Sequence, residues 1–307
     1  MNLIEFSKAF PDENASVQYI RSKREAEGIT CRRCGCTKHY WYATIQKWQC
    51  AECNSRTNLK AGTIMEKSKL PIRIWLLTIH LMTSTKKDFS ALEMQRQLGW
   101  KRYEPIWYMM QKIRAAMGKR DSNYQLKGEI EMDDAFFVTV DLERAKDEER
   151  RRGRGSQRQA KVLVMVESQV NPGQTKEYKK KRKMGYLKML VMEKLKTKDI
   201  KQEVEINTNP TETTLLTDGL NAYLRLREVV AKHVPMKILP QEAHKKLPWV
   251  HTQIANVKRG LLGIHHSIGK EYLQNYLNEF CYKTNRRNFN SDLFDRMVIA
   301  GVSDTWY

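Results

Sequence analysis

Two hydrophobic rhythms divide the chain. Between residues 69 and 117 the apolar side chains return at helical spacing, with Ile72, Trp75, Leu76 and Ile79 at i, i+3, i+4 and i+7 behind Pro71, whose fixed φ suits a first helical turn. Ser90 is placed to cap a helix through Leu98, Gly99 to end it, and Pro105 to open another that runs to about residue 117. Shorter helices are predicted over residues 3 to 10 and 16 to 27. After Gly128 the rhythm changes. EIEMDDAFF (129 to 137), KVLVMVE (161 to 167) and YLKMLVME (186 to 193) have the composition of strands, and the segments joining them hold no helical pattern, which predicts an antiparallel meander. A helix over 198 to 204 follows, then a short apolar strand, Leu215 and Leu216, ending at Asp218. Residues 251 to 263 predict a helix with Ile254, Val257 and Leu261 inward, and a last long helix carries Leu273, Tyr276, Leu277 and Phe280 on one stripe.

Three antiparallel strands, a helix, another strand and closing helices is the order of a ribonuclease H-like domain. The predicted fold class is therefore α+β and multidomain: N-terminal helices and a zinc ribbon over 1 to 60, a helical, helix-turn-helix-like segment over 61 to 122, a ribonuclease H-like catalytic domain over 123 to 290, and a C-terminal tail over 291 to 307. At 307 residues two or three units are expected.

The ribbon is read from cysteine spacing. Cys31-x-x-Cys34 and Cys50-x-x-Cys53 are separated by fifteen residues, and each Cys-x-x-Cys turn presents two thiolates to one side of a tetrahedral ion. Four thiolates leave no open coordination position, so the zinc would be structural. Cys36 and His39 stand within reach as alternative ligands. Tyr40, Trp41, Tyr42 and Trp48 give the ribbon a hydrophobic face, expected to pack rather than to stack on bases.

Charge adds a partner. Fifty-five Lys and Arg against 35 Asp and Glu leave a formal +20, with a pI near 9.7, a field that favours a polyanion, nucleic acid first. No apolar run approaches the roughly 20 residues of a spanning helix, and MNLIEFSKAF has no signal-peptide pattern, so a cytoplasmic, nucleoid-associated location is expected. Lys101, Arg102, Lys112 and Arg114 lie around the predicted turn between two helices, and Arg150, Arg151, Arg152 and Arg154 lie in a basic loop from 144 to 158; a second runs from 176 to 183. Both loops suit phosphate tracking, as does the Asn285-Arg286-Arg287 run at the end of the last helix.

The candidate chemistry sits on the first strand. Alternation puts Glu129, Glu131 and Asp133 on one face and Ile130, Met132 and Asp134 on the other, which makes Asp133 the better candidate for a site at the strand's end. Asp218 at a second strand end supplies another carboxylate at the sheet edge.

These features resemble, over nearly the whole chain, the zinc-ribbon insertion-sequence transposases of the DDE superfamily. The resemblance is carried by the two CxxC pairs, the Gly-Thr-Ile of 62 to 64 before the Pro-started helix, the strand with Asp133, the TDG around Asp218, His251 five residues before Asn256, and the YLNEFCYKTNRR ending. Asn256 with Lys258 is similar to the branch that carries Asn-x-Lys in place of the third acid. The resemblance implies Asp133, Asp218 and Asn256 as the catalytic, metal-holding set, with Lys258 and His251 beside them; double-stranded DNA, both the terminal inverted repeats and the target, as substrate; and a homo-oligomer in the active complex. Phosphodiester cleavage and strand transfer are in-line displacements served by two Mg²⁺ or Mn²⁺ ions about 3.5–4 Å apart, and hard oxygen donors suit them. An Asn amide oxygen is neutral and should hold its ion more weakly than Glu. Asn256 and Lys258 stand about 200° apart on a regular helix, so either the helix begins later or Lys258 meets a DNA phosphate. Glu279 is the alternative third acid. A zinc-ribbon regulator without chemistry would not need the two strand-end acids, and a ribonuclease H-like nuclease or resolvase would not need the ribbon and helices in front.

Overall fold

The computed structural model describes residues 1–140, 156, 158–171, 182–237, 242–289 and 292–303, and the arginines 150, 151, 152 and 154 with most of both basic loops lie outside them. The chain divides into two units, Met1–Arg120 with Arg286–Tyr307, and Asp121–Asn285.

In the first unit α1 (Leu3–Ala9) and α2 (Glu13–Glu27) lead into a three-stranded sheet of β1 (His39–Tyr42), β2 (Lys47–Cys50) and β3 (Arg56–Asn58), paired antiparallel in that order. Trp48 is buried, and the ribbon's tryptophans meet α2: Arg24 lies 4.9 Å over the Trp48 ring, Arg21 lies 5.0 Å over Trp41, and Trp48 Nε1 donates to Glu25 at 3.1 Å. Tyr40 and Tyr42 stay exposed. Next come α3 (Ile72–Ser84), α4 (Ala91–Leu98) and α5 (Tyr103–Ser122). The Ser90 hydroxyl accepts the Glu93 N–H at 3.1 Å, and Gly99 closes α4 in the left-handed region, φ 61°, so the start and stop signals both act as their chemistry dictates. Residues 291 to 307, expected as a tail, contain α10 (Asp292–Ser303), whose Leu293, Phe294, Met297 and Val298 are buried in this unit. Phe294 sits among Phe6, Phe10, Tyr19 and His80 at centroid distances of 6.0 to 6.1 Å.

The second unit is a five-stranded mixed sheet with helices on both faces. β4 (Leu126–Val138), β5 (Gln159–Val170) and β6 (Arg182–Met192) form the antiparallel meander; α6 (Thr197–Asn207) then crosses over to β7 (Thr208–Asp218), parallel to β4, and β8 (Lys232–Met236) lies parallel to β7. The order β6-β5-β4-β7-β8 is that of a ribonuclease H-like sheet. α7 (Ala243–Lys246), α8 (Pro248–His265) and α9 (Leu273–Asn285) complete it. Val162, Val164 and Val166 of β5 face Val250, Val257 and Leu261 of α8 and Leu277 of α9, while Leu163 and Met165 face Ile200 and Val204 of α6. Covering on both faces explains why β5 is apolar almost throughout.

β5 carries a register shift against β6 between Val166 and Ser168, and β4 one against β7 between Leu126 and Gly128. Buried Glu167 serves both irregular places, accepting the Lys127 N–H at 3.0 Å and the Tyr186 N–H at 2.9 Å. Gly185 is where that carboxylate needs space: a Cβ there would stand 2.6 Å from Gln169 Nε2 and 2.8 Å from Glu167 Cβ. Gly185→Ala should therefore destabilise the protein by about 1–3 kcal/mol, read as a lower urea midpoint, and an unchanged midpoint would show that Glu167 can move without loss.

Candidate active site and metal centre

The acid pair follows from strand register. Met132 on β4 pairs with Thr217 on β7 in parallel, so Asp133 and Asp218 stand in the next row on neighbouring strands. Their faces agree too, because Ala135 and Phe137 on β4 and Leu216 on β7 pack into the core beneath α8. Asp218 Oδ1 accepts the Leu220 N–H at 3.4 Å, and the Thr217 hydroxyl lies 2.9 Å from both the Asp218 carbonyl oxygen and His233 Nε2. Asp133 Oδ1 accepts the Asp134 N–H at 2.8 Å, and its Oδ2 lies 3.7 Å from His251 Nδ1.

What brings α8 to this place is Glu131, two residues before Asp133 on the same face. Its Oε2 accepts the N–H groups of Trp249, at 2.7 Å, and Val250, at 3.0 Å. These are among the first amides of α8, which have no partner inside the helix. Glu131 is buried, and burial pushes its carboxyl up to about 7 even though both amides pull it down. The sequence offered no signal for this cap, since a carboxylate 118 residues upstream of Trp249 is not a local capping motif.

α8 is regular from Pro248, so its faces can be assigned. Val250, Gln253, Val257 and Leu261 are its buried residues. His251 and Lys258, seven positions apart, share one flank: His251 reaches Asp133, and Lys258 Nζ lies 5.4 Å from the ring of Phe137, farther along β4. Asn256 lies on the opposite flank, exposed, with its Oδ1 accepting from Arg259 at 2.8 Å. The expected grouping of Asn256 with the two acids is thus absent, for the helical reason that separates it from Lys258. Glu279, the alternative third acid, is fully buried on α9, 3.3 Å from Lys283 Nζ.

On the other face of β4 stands a third carboxylate. Asp134 Oδ1 accepts the Tyr223 hydroxyl at 2.9 Å. Burial, followed by the charges of Asp134, Asp133 and Asp218, holds that phenol far above its usual range, so it remains a donor.

In the first unit the Sγ atoms of Cys31, Cys34, Cys50 and Cys53 all lie within 4.8 Å of one another, and the pairs Cys31–Cys53 and Cys34–Cys50 are 3.5 Å apart. Thiolates about 2.3 Å from a tetrahedral ion would be roughly 3.8 Å apart, so the set fits a zinc-sized ion. Each knuckle supplies amides that favour thiolate: those of Cys34 and Arg33 lower the Cys31 thiol, and those of Cys53 and Glu52 bring Cys50 down to about 6. Gly35 and Asn54 close the knuckles at φ 75° and 57°. Cys36 and His39 are outside the set; the Cys36 sulfur accepts the Lys38 N–H and His39 Nδ1 lies 3.1 Å from the Thr37 carbonyl.

Of the basic residues around the turn between α4 and α5, Lys101 and Arg102 are exposed. The other two are structural. Arg114 is 1% exposed and donates to the Phe89 carbonyl, and Lys112 donates to the Glu66 carbonyl at 2.9 Å, because both project from α5 into the unit rather than outward.

If Glu131 sets the position of α8, Glu131→Ala should lose about 1–3 kcal/mol of stability, since the buried Val250 amide and the part-buried Trp249 amide lose their acceptor. Glu131→Gln, which keeps an oxygen there, should stay within about 1 kcal/mol of the parent. Equal urea midpoints for the Ala and Gln variants would remove the cap from the account.

Comparison with known proteins places these features in a family. A family model described as ISXO2-like transposase domain matches residues 125–285, more than half of the chain, and one described as transposase zinc-ribbon domain matches residues 11–56. A relative, an uncharacterized protein in transposable element ISH50 of Halobacterium salinarum, is 22% identical over 290 residues, covering 89% of this chain and 91% of that protein. Among solved structures, a pre-cleavage Mos1 transpososome is similar at 11% identity over 76% of this chain and 78% of that one, with a TM-score of 0.29, and a Mos1 paired-end complex with the left transposon end at 11%, 75% and 78%, also with a TM-score of 0.29. At such scores the superpositions add no weight, and the fold rests on strand order. The family match spans Asp133, Asp218 and all of α8, and the chain belongs to the ISXO2-like transposases of insertion sequences.

Proposed function

We propose that this DNA transposase cuts and joins phosphodiesters with divalent cations, Mg²⁺ or Mn²⁺, held by Asp133 and Asp218. The observation that carries the reading is two carboxylates side by side on one face where the parallel pairing of β4 and β7 ends, Asp218 at the end of β7 and Asp133 within β4, which was expected to end there but runs on to Val138. Both offer hard oxygens, the donor type such ions require. Bound there, the ions would stabilise the attacking and leaving oxygens of an in-line displacement. Within the chain, His251 orients the Asp133 carboxylate, and Lys258 offers a cation to a backbone phosphate along the same strand. Asn256 keeps the third-ligand role that the resemblance gave it only if α8 turns about its axis when DNA is bound; in the present helix orientation His251 holds the place beside Asp133.

Around this centre we read the four-cysteine set as a structural zinc site, and Lys101, Arg102 and the arginines 150, 151, 152 and 154 as contacts to duplex phosphates of the element ends and target. An element has two ends and each chain one acid pair, so the working complex would be a homo-oligomer. Among the described residues no helix is long and apolar enough to cross a membrane, and action on DNA would place the protein at the nucleoid.

Asp133→Ala and Asp218→Ala should each abolish Mg²⁺-dependent cleavage and strand transfer while leaving DNA binding within about twofold, because metal ligands rather than DNA contacts are removed. Paired with them, His251→Ala and Asn256→Ala decide the third position. Loss of cleavage in Asn256→Ala with a raised metal requirement would require the turned helix; loss only in His251→Ala would assign the place to histidine; full activity of the two Asp variants would sink the reading altogether.

The ribbon makes a separate expectation. Metal analysis should find about one zinc per chain, and a chelator should unfold residues 31 to 53 and weaken DNA binding, because four converging thiolates gain nothing without an ion. Retained structure and affinity after zinc removal would count against it.

A further inference from the structure

On the face of the sheet opposite α8 a cavity of about 520 Å³ opens beside Asp134 and Tyr223. Its walls include Phe136 and Lys161, paired across β4 and β5, with Lys194 and Lys196 from the segment that leads into α6. It therefore lies where the pairing of β4 with β7 ends, beside the acid pair but on the other side of the sheet, in the kind of crevice where ligands of open α/β sheets characteristically bind.

The lysines are unusual for their place. Lys161 is half-buried in a strand whose same-face neighbours, Leu163 and Met165, are core, yet no carboxylate of a described residue forms an ion pair with it, and the same holds for Lys194 and Lys196. Among the described residues Asp134 is the one carboxylate of the cavity's lining, and its Oδ1 accepts from Tyr223 rather than from a lysine; a cation set into an apolar strand face without an ion-pair partner is costly unless something else supplies the charge. Lys196 also occupies the N-cap position of α6 with no side-chain cap, so its charge adds to the positive end of that helix. Partly exposed Phe136, Leu195 and Leu220 give the cavity an apolar wall next to the three cations. Phosphate beside a flat apolar group is the chemistry of a nucleotide.

We propose that this cavity binds one unpaired nucleotide of the substrate DNA, its phosphate on Lys161, Lys194 and Lys196 and its base against Phe136. This deepens the transposase reading by naming a second place where the substrate is held: a strand whose reacting phosphate lies at Asp133 and Asp218 passes between β4 and β7 beyond their last pair, Met132 and Thr217, and is anchored on the far face. Only a single strand can follow that route, because a duplex is too wide to enter a cavity of this size. A free nucleotide offers the same phosphate and base, and the test separates the two sources.

The experiment measures binding of the full-length protein to a blunt, mixed-sequence duplex and to the same duplex with a single-stranded extension of about five nucleotides. For the triple variant Lys161→Gln, Lys194→Gln, Lys196→Gln, affinity for the extended duplex should fall at least about tenfold and its log–log salt slope should flatten by about 0.7, the share of one phosphate on a single strand. Blunt-duplex binding should not change. Phe136→Ala should reduce the preference for the extension without altering the slope. Should Lys161→Gln disturb folding, the exposed pair Lys194→Gln, Lys196→Gln should still weaken binding to the extended duplex several-fold and leave the blunt duplex unchanged. Asp133→Ala should leave both affinities as in the parent, so failure of the acid assignment and failure of this one are separate results. An equal loss on blunt and extended DNA, or no loss on either, would overturn the proposal. So would thermal stabilisation of the parent by ATP that the triple variant loses while its affinity for the extension stays intact, since the site would then belong to a free nucleotide.

Discussion

The bond on which the site depends is the one between the Glu131 carboxylate and the first amides of α8. Side chains on a strand alternate, so a carboxylate that takes the Trp249 and Val250 amides leaves the next residue on its face, Asp133, at the mouth of the sheet. The residue after Val250 is His251, and its imidazole meets Asp133 because the cap has already fixed both the height and the rotation of the helix. Capping energies are small, about 0.5–2 kcal/mol. The consequence is geometric rather than energetic, since one oxygen shared by two amides defines where an eighteen-residue helix starts.

β4 can serve two faces because its register is held from both sides, antiparallel to β5 and parallel to β7. A slip by one residue would exchange the faces, carrying Asp133 to the side of Lys161 and Asp134 to the side of His251. The near-continuous apolar run of β5 tolerates such a slip poorly, as its valines fit beneath α8 and its leucine and methionine against α6. Glu167 adds a fixed point at the bulged end of the same strand. Positioning two carboxylates a row apart thus draws on core packing at residues that never approach the reacting centre.

What the sequence made legible was local or periodic. Cysteine spacing found the four sulfurs, Ser90 and Gly99 bounded α4, and alternation put Asp133 and Glu131 on one face. What it hid was decided by distant partners. β8, Lys232–Met236, is a short edge strand with a proline and a lysine, and only its parallel pairing with β7 marks it as a strand. Residues 292 to 303 passed for a tail, although Leu293, Phe294, Met297 and Val298 recur at helical spacing, because the aromatic pocket that accepts Phe294 is built by the first helices of the chain. The flank occupied by Asn256 could not be known before the start of α8 was known, and that start is set by Glu131.

Charge was the most misleading of the sequence signals when taken residue by residue, though informative as a total. A net +20 favours a polyanion, yet several cations are spent inside the fold. Arg114 and Lys112 satisfy backbone carbonyls, Lys283 neutralises buried Glu279, and Lys188 donates to Asn207 at 2.8 Å with its ammonium lowered by burial. Neighbouring basic residues in sequence therefore divide between structure and surface according to the face they occupy: Lys101 and Arg102 remain in solvent a helical turn or more before two that do not. The cations that matter for DNA are those whose partners the fold does not supply. By that criterion a half-buried lysine on a core strand says more about the substrate than exposed cations such as Lys101 and Arg102, because water satisfies those at little cost, whereas Lys161 is half-buried and gains no ion-pair partner among the described residues in return.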